Sequence, residues 1–145
     1  MTYRITDTVR PVQLLAPVTV AGTVTTAVVD RNNWTALVLL LALGANGGTL
    51  DASHYGTPTI QESDTLVAAD FTAVADADLL YTFSAVAAGA DVAKAQRAEY
   101  IGSKRYVRVV LTVTGTVSVV MGVIALLGLP AMAAATEPTT GLTAA

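Results

Sequence analysis

The first residue to consider for catalysis is His54, the one histidine in the chain, because imidazole is the usual general base near neutral pH. It lies in the segment DASHY, where Asp51 is the nearest carboxylate. A serine hydrolase also needs a positioned nucleophile, and no Gly-x-Ser-x-Gly motif occurs. Zinc and iron enzymes need several histidine or cysteine ligands, and the chain has no cysteine. We therefore interpret His54 as a loop residue and expect no enzyme, no cofactor and no metal site.

A series of acidic residues is the second candidate, because carboxylate oxygens are the ligands that Ca²⁺ prefers. The spacing of these residues matches no calcium-binding loop with alternating ligands and a closing bidentate glutamate. We interpret them as hydrated loop residues. They are Glu62, Asp64, Asp70, Asp76 and Asp78.

Basic residues at the start of an apolar stretch are the best candidates for an interface. Lys104, Arg105, Tyr106 and Arg108 lie near the start of the segment Tyr100–Pro130, which carries no charge after residue 108. These cations could pair with a partner's carboxylates or with phosphates, or they could simply keep one sheet face hydrated. The net charge of −3 argues against direct binding of nucleic acid, which needs a basic surface.

The composition indicates that the chain contacts another protein. Hydrophobic residues make up 53% and charged residues 13% of its 145 residues, against about 45–50% and about 25% in an average soluble domain. A domain of this size cannot bury so much apolar surface alone. We therefore expect a homo-oligomer or a subunit of a lattice.

Strand patterns dominate the segments that would position these residues. Residues 34–45, WTALVLLLALGA, predict a buried strand in which Trp34 anchors the core, and residues 79–87 predict a half-buried strand. Residues 89–100 have the composition of a short helix or a polar loop. From Lys104 onward, alternation predicts that Val107, Val109 and Leu111 face the core, and Gly115 allows a reversal into a long hairpin with residues 117–127.

These segments predict one all-β domain, an antiparallel β-sandwich that is jelly-roll-like and has at most one short helix. We assign residues 1–16 to an extended N-terminal arm, 17–130 to the sandwich and 131–145 to a C-terminal tail. The uncharged residues 116–135 are long enough to span a membrane, but their glycines, Pro130 and β-branched residues favour a strand. The first ten residues do not resemble a secretory signal. We expect no membrane association.

Two segments, YIGSKRYVRVVLTVTGTVSVVMGVIALLG and IQESDT, resemble small structural proteins of tailed bacteriophages. The resemblance implies a virion component, similar in role to a head decoration or cement protein on the outer surface of the capsid, with the major capsid protein as its partner. The arm and the tail would reach toward neighbouring subunits. The alternatives are a ring component of the tail or neck, and a carbohydrate-binding β-sandwich that uses Tyr55, Tyr100 and Tyr106.

Overall fold

Ten β-strands account for most of the ordered structure in residues 8–130, the part of the chain that the computed structural model describes. The expected arm residues 1–7 and the expected tail 131–145 lie outside it. The strands are β1 (Val9–Val20), β2 (Val24–Thr25), β3 (Val29–Asp30), β4 (Trp34–Asn46), β5 (Tyr55–Ser63), β6 (Thr72–Ala73), β7 (Leu79–Tyr81), β8 (Ala95–Tyr100), β9 (Tyr106–Thr114) and β10 (Val119–Pro130).

The strands form two antiparallel sheets that pack face to face. Sheet A has the order β1-β10-β4-β8-β7, and sheet B has the order β2-β9-β5-β6, with β3 also paired to β9. In sheet A, β1 pairs with β10 and β4 pairs with β8. In sheet B, β2 pairs with β9 and β5 pairs with β6. Early strands thus pair with late strands, and the inner pairs lie within the outer pairs along the chain. This nested order is that of a jelly roll and confirms the expected all-β sandwich.

The predicted hairpin between residues 107 and 127 is wrong. Strand β9 pairs with β5 in sheet B, whereas β10 lies between β1 and β4 in sheet A. Gly115 has a φ of +68° and does provide a sharp turn, but the chain crosses there from one sheet to the other. Alternation shows which side chains are buried and does not show which strand is the neighbour.

Three other expectations change in the structure. Residues 9–16, which we expected in the arm, form the first part of β1. The predicted helix or loop at residues 89–100 contains the strand β8, and only Gly89–Asp91 form a 3-10 turn. The strand expected over residues 79–87 is limited to Leu79–Tyr81. Within residues 8–130 the helical elements are three such 3-10 turns of three residues each.

The core lies between the two sheets, as the alternation of β4 and β9 predicts. Leu37, Leu39 and Leu41 of β4 are fully buried, and so are Val107 and Val109 of β9. Trp34 is half-buried and packs against this core, in agreement with its predicted role. No helix within residues 8–130 has the length and hydrophobicity to cross a membrane.

Candidate functional site

The outward surface of sheet A is apolar, although a sheet in a sandwich normally turns a polar surface to water. Side chains alternate between the two surfaces of β4 and β10, and the inward set fills the core. The outward set is also apolar, and Ile124 in its middle is 38% exposed. We call this surface the apolar face. Its members are Ala36, Val38, Leu40, Ala42, Val120, Ile124 and Leu126.

Pairing between strands arranges the middle of the apolar face in two adjacent rows. The rows are Pro11–Leu126–Val38–Glu99 and Gln13–Ile124–Leu40–Arg97. Arg97 and Glu99 are the only charged residues of β4, β8 and β10. The Arg97 guanidinium lies 4.3 Å from the ring centre of Tyr81 on β7. One margin of the apolar face therefore carries a cation and an anion in neighbouring rows.

The outward surface of sheet B is polar. Its cross-strand pairs include Thr57 with Thr112 and Gln61 with Arg108. This is the pattern of a sheet that faces water on one side. The two sheets therefore differ in their outward surfaces, which are apolar in sheet A and polar in sheet B.

The predicted interface residues lie at one end of sheet B, and their cations have acceptors within the chain. Lys104 Nζ lies 2.5 Å from a carboxylate oxygen of Asp64, and this carboxylate raises the pKa of Lys104. Arg105 binds both oxygens of Asp30 at 2.9 and 2.8 Å. The hydrogen bond from Arg105 lowers the pKa of Asp30. The interface role of these residues stays a prediction.

Tyr106 and Arg108 complete the predicted group and are held in a similar way. The Arg105 guanidinium lies 5.0 Å from the ring centre of Tyr106. Arg108 donates a hydrogen bond of 2.8 Å to Gln61 and stacks 4.1 Å from the ring centre of Phe71. The structure thus brings the four residues to one end of the molecule, where they stabilise its local structure.

The sequence analysis missed two exposed apolar residues beside this basic group. Leu66 and Val67 are 66% and 57% exposed, and they lie in the segment of residues 64–70, which we call the 64–70 loop. Loop hydrogen bonds include one from the Thr65 hydroxyl to the Asp70 carboxylate at 2.5 Å and one from the Asp70 backbone N–H to the Val67 carbonyl at 3.0 Å. These bonds order the loop while its two large apolar side chains stay in solvent.

Two of the basic residues connect the 64–70 loop to sheet B. Lys104 pairs with Asp64, where the loop begins. Arg108 donates a hydrogen bond of 3.3 Å to the Ala68 carbonyl. These two contacts fix the loop against the end of sheet B. Two adjacent apolar residues in a loop show no periodicity, so the sequence pattern does not distinguish them.

A buried tyrosine links the basic group to the core. Tyr100 is 1% exposed, donates its hydroxyl hydrogen to Glu62 and accepts the Lys104 backbone N–H at 3.0 Å. Burial, with the Glu62 hydrogen bond, raises the pKa of Tyr100. Arg31 lies 4.6 Å from the Tyr100 ring centre and donates to the carbonyl oxygens of Gly102 and Lys104 at 2.9 and 2.8 Å.

The position of Tyr100 corrects its expected part in carbohydrate binding, because a buried ring cannot stack on a sugar. Tyr55 and Tyr106 pair with Thr114 and Ser63 at opposite ends of the β5·β9 pair. Eight residues of strand separate these ends, a distance of about 26 Å. The three tyrosines therefore form no common stacking surface.

His54 lies in a loop beside an open cleft and pairs with the carboxylate that the sequence suggested. Its Nδ1 is 2.9 Å from Asp51 Oδ1, which also accepts the backbone N–H groups of Ser53 and His54. The cleft has a volume of about 270 Å³, and its lining includes His54, Thr116 and Ser118. Within residues 8–130 no hydrogen bond connects His54 to a hydroxyl group. The contacts with Asp51 orient the imidazole.

The acidic residues are dispersed. Glu62, Asp64 and Asp70 contact Tyr100, Lys104 and Thr65 respectively. In the described part of the chain no three His, Asp or Glu residues are grouped to hold a metal ion.

Comparison with known proteins leaves the fold and these surfaces as the basis for assigning a function. A scan of protein-family models finds none that matches the chain, and a search of curated proteins also finds no match.

Proposed function

We propose that this chain is a non-enzymatic structural protein of a tailed phage virion, a head decoration protein that oligomerises and binds the outer surface of the capsid shell. The apolar face of sheet A is the observation that carries the proposal. A contiguous exposed apolar face of this kind marks a surface that contacts another protein, so it supports a role as a component of an assembly. The resemblance of its strand segments to phage structural proteins supports the same assignment.

Decoration stabilises the shell by mass action. A protein that binds only the assembled shell lowers the free energy of that state by RT ln(1 + [L]/Kd). At a free concentration of 100 times Kd this term is about 2.7 kcal/mol for each site. Repeated over many sites, it helps the shell to resist the pressure of packaged DNA.

The shell contact in this proposal is the end of sheet B that carries the basic group and the 64–70 loop. Leu66 and Val67 would enter an apolar depression of the major capsid protein, and Lys104 and Arg105 would lie around them as a polar rim. Buried apolar anchors surrounded by polar residues are the common arrangement of protein interfaces. The loop is ordered in the free chain, so little further ordering is required.

The test uses shells of the phage that encodes the chain, prepared without it. Purified protein is added, and cryo-electron microscopy with gel densitometry gives the position and number of bound copies. We expect regular density on the outer shell and a higher temperature of shell disruption. Density limited to the portal vertex or the tail would instead support the ring component, and no binding to any virion part would contradict the proposal.

A matched pair of variants tests the proposed contact. The double variant Leu66→Ser and Val67→Ser should reduce shell occupancy at least tenfold and leave the folding temperature nearly unchanged, because both side chains are exposed. Leu80→Ser removes a similarly exposed leucine from β7, at the far margin of sheet A, and should bind like the unmodified chain. Equal loss in both variants would show that the 64–70 loop is not the contact.

A further inference from the structure

We propose that the apolar face of sheet A binds the same face of a second copy of this chain. The inference rests on the proposed function and names the partner that covers the face. A twofold axis lies in the plane of the interface and crosses the strands between the row that contains Leu126 and Val38 and the row that contains Ile124 and Leu40. Each row then lies opposite the other row of the second copy.

The shape of the apolar face fits a second sheet. The residues around its four large central side chains are small, because Ala36 and Gly128 form one pair and Ala42 and Gly122 form another. The four large side chains therefore project from a surface of small residues, and Pro17 of β1 lies over Gly122 at one end of it. Two apolar sheet surfaces pack about 10 Å apart, as the two inner surfaces of a sandwich do.

The area of the face is sufficient for a dimer. The apolar face of β10 and β4, together with the neighbouring strand β8 that carries Arg97 and Glu99, forms a contact surface of three strands about 4.8 Å apart and five outward residues about 6.8 Å apart, which is about 500 Å². Two copies would bury about 1,000 Å², which is the lower limit for a specific interface. We therefore expect a dimer that dissociates at low concentration.

The charges at the margin are complementary under the proposed symmetry. A twofold axis across the strands places β8 of one copy over β8 of the other in the opposite direction. Because the axis lies between the two central rows, Arg97 of each copy faces Glu99 of the other. A face that carries one cation and one anion in adjacent rows is self-complementary, as a twofold interface requires.

Self-association of the purified chain tests the face without any capsid. Sedimentation equilibrium from 1 to 500 µM should show a reversible dimer. Ile124→Asp places a charge at the centre of the face and should weaken dimerisation at least a hundredfold. The matched control is Val110→Asp, which changes an outward valine of sheet B and should dimerise normally. A monomer throughout this range, or equal effects of the two variants, would overturn the inference.

Charge reversal tests the axis. Glu99→Arg gives a face with two cations and Arg97→Glu gives a face with two anions, so each variant alone should dimerise at least tenfold more weakly. An equimolar mixture should recover association as a heterodimer, because each cation again faces an anion. Circular dichroism checks that both variants fold, since Arg97 also stacks on Tyr81.

Failure of the mixture to recover association would overturn the proposed axis. The outcome is independent of shell binding. If the chain is monomeric and still decorates shells, the dimer inference and the proposed oligomerisation are wrong, and the proposed shell-binding role stands. If the dimer forms as described and no virion part binds it, the proposed function is wrong.

Discussion

Replacing Tyr100 with phenylalanine removes one hydroxyl group from the network that connects the core to the basic group. The hydroxyl donates to the Glu62 carboxylate and accepts the Lys104 backbone N–H. The ring itself is buried and unchanged in shape, so the variant tests the hydrogen bonds alone. Arg31 stacks on the same ring and donates hydrogen bonds to the Gly102 and Lys104 carbonyls. Loss of the hydroxyl should therefore destabilise the turn that leads into β9.

The magnitude follows from the two bonds. A hydrogen bond to a charged group is worth about 1.5–3 kcal/mol, and the site is too buried for water to replace the hydroxyl fully. The Lys104 N–H adds less, because the turn has access to solvent. We expect a decrease of about 2 kcal/mol in the free energy of unfolding and about 7 °C in Tm.

Urea denaturation with a double-mutant cycle measures the effect. Glu62→Gln keeps an acceptor and should cost about 1 kcal/mol, and the double variant should cost less than the sum of the two single variants. Tyr55→Phe is the control, because within residues 8–130 its hydroxyl has no hydrogen-bond partner. A change below about 0.5 kcal/mol for Tyr100→Phe, or strict additivity, would refute the role of this network.

Three further outcomes are expected. Gly115→Ala should destabilise the fold by about 2–4 kcal/mol in urea denaturation, since its φ is +68° and a Cβ there would overlap a neighbouring carbonyl oxygen. Gly22→Ala has open space and should be nearly neutral, so equal effects would contradict this reason. Stability should fall as pH rises above about 10, because the unfolded chain ionises Tyr100 while the raised pKa keeps the folded form protonated; an unchanged pH dependence in Tyr100→Phe would contradict it. Arg105→Ala should raise the pKa of Asp30 toward 3.8 in an NMR titration. Because the pKa of Asp30 is lower in the folded chain, its ionised form stabilises the fold above pH 3.8, and this stabilisation is lost as pH falls further. It amounts to at most about 1 kcal/mol, because the pair is exposed. An unshifted pKa in that variant would disprove the pairing.

The sequence predicted the class of fold and the buried surfaces better than the connections. Alternation over residues 107–111 and the continuous apolar run from Trp34 correctly predicted core strands. The hairpin failed because β9 and β10 have similar composition and a glycine turn between them, which is equally compatible with pairing and with a crossing between sheets. Composition at residues 89–100 predicts a short helix or a polar loop, and pairing of residues 95–100 with β4 overrides this local preference.

The candidate surfaces are only partly visible in the sequence. The low charge content predicted a protein partner, but the outward position of Ile124 and Leu40 appears only when β10 and β4 lie side by side at the centre of sheet A. The basic residues lie close together in the sequence, whereas their acceptors, such as Asp30 and Asp64, are distant from them in sequence. Long-range pairing of this kind has no local signature.

The edges of sheet A bear on how the molecule associates. An exposed edge strand can pair with another chain and extend the sheet. Strand β1 forms one edge and contains Pro11 and Pro17, which lack the N–H that an added strand would need, and its pairing with β10 is irregular after Gln13. Strand β7 at the other edge has three residues. Because neither edge offers a continuous row of donors and acceptors, we expect association through sheet A to use its apolar face and to give a closed pair, not an extended sheet.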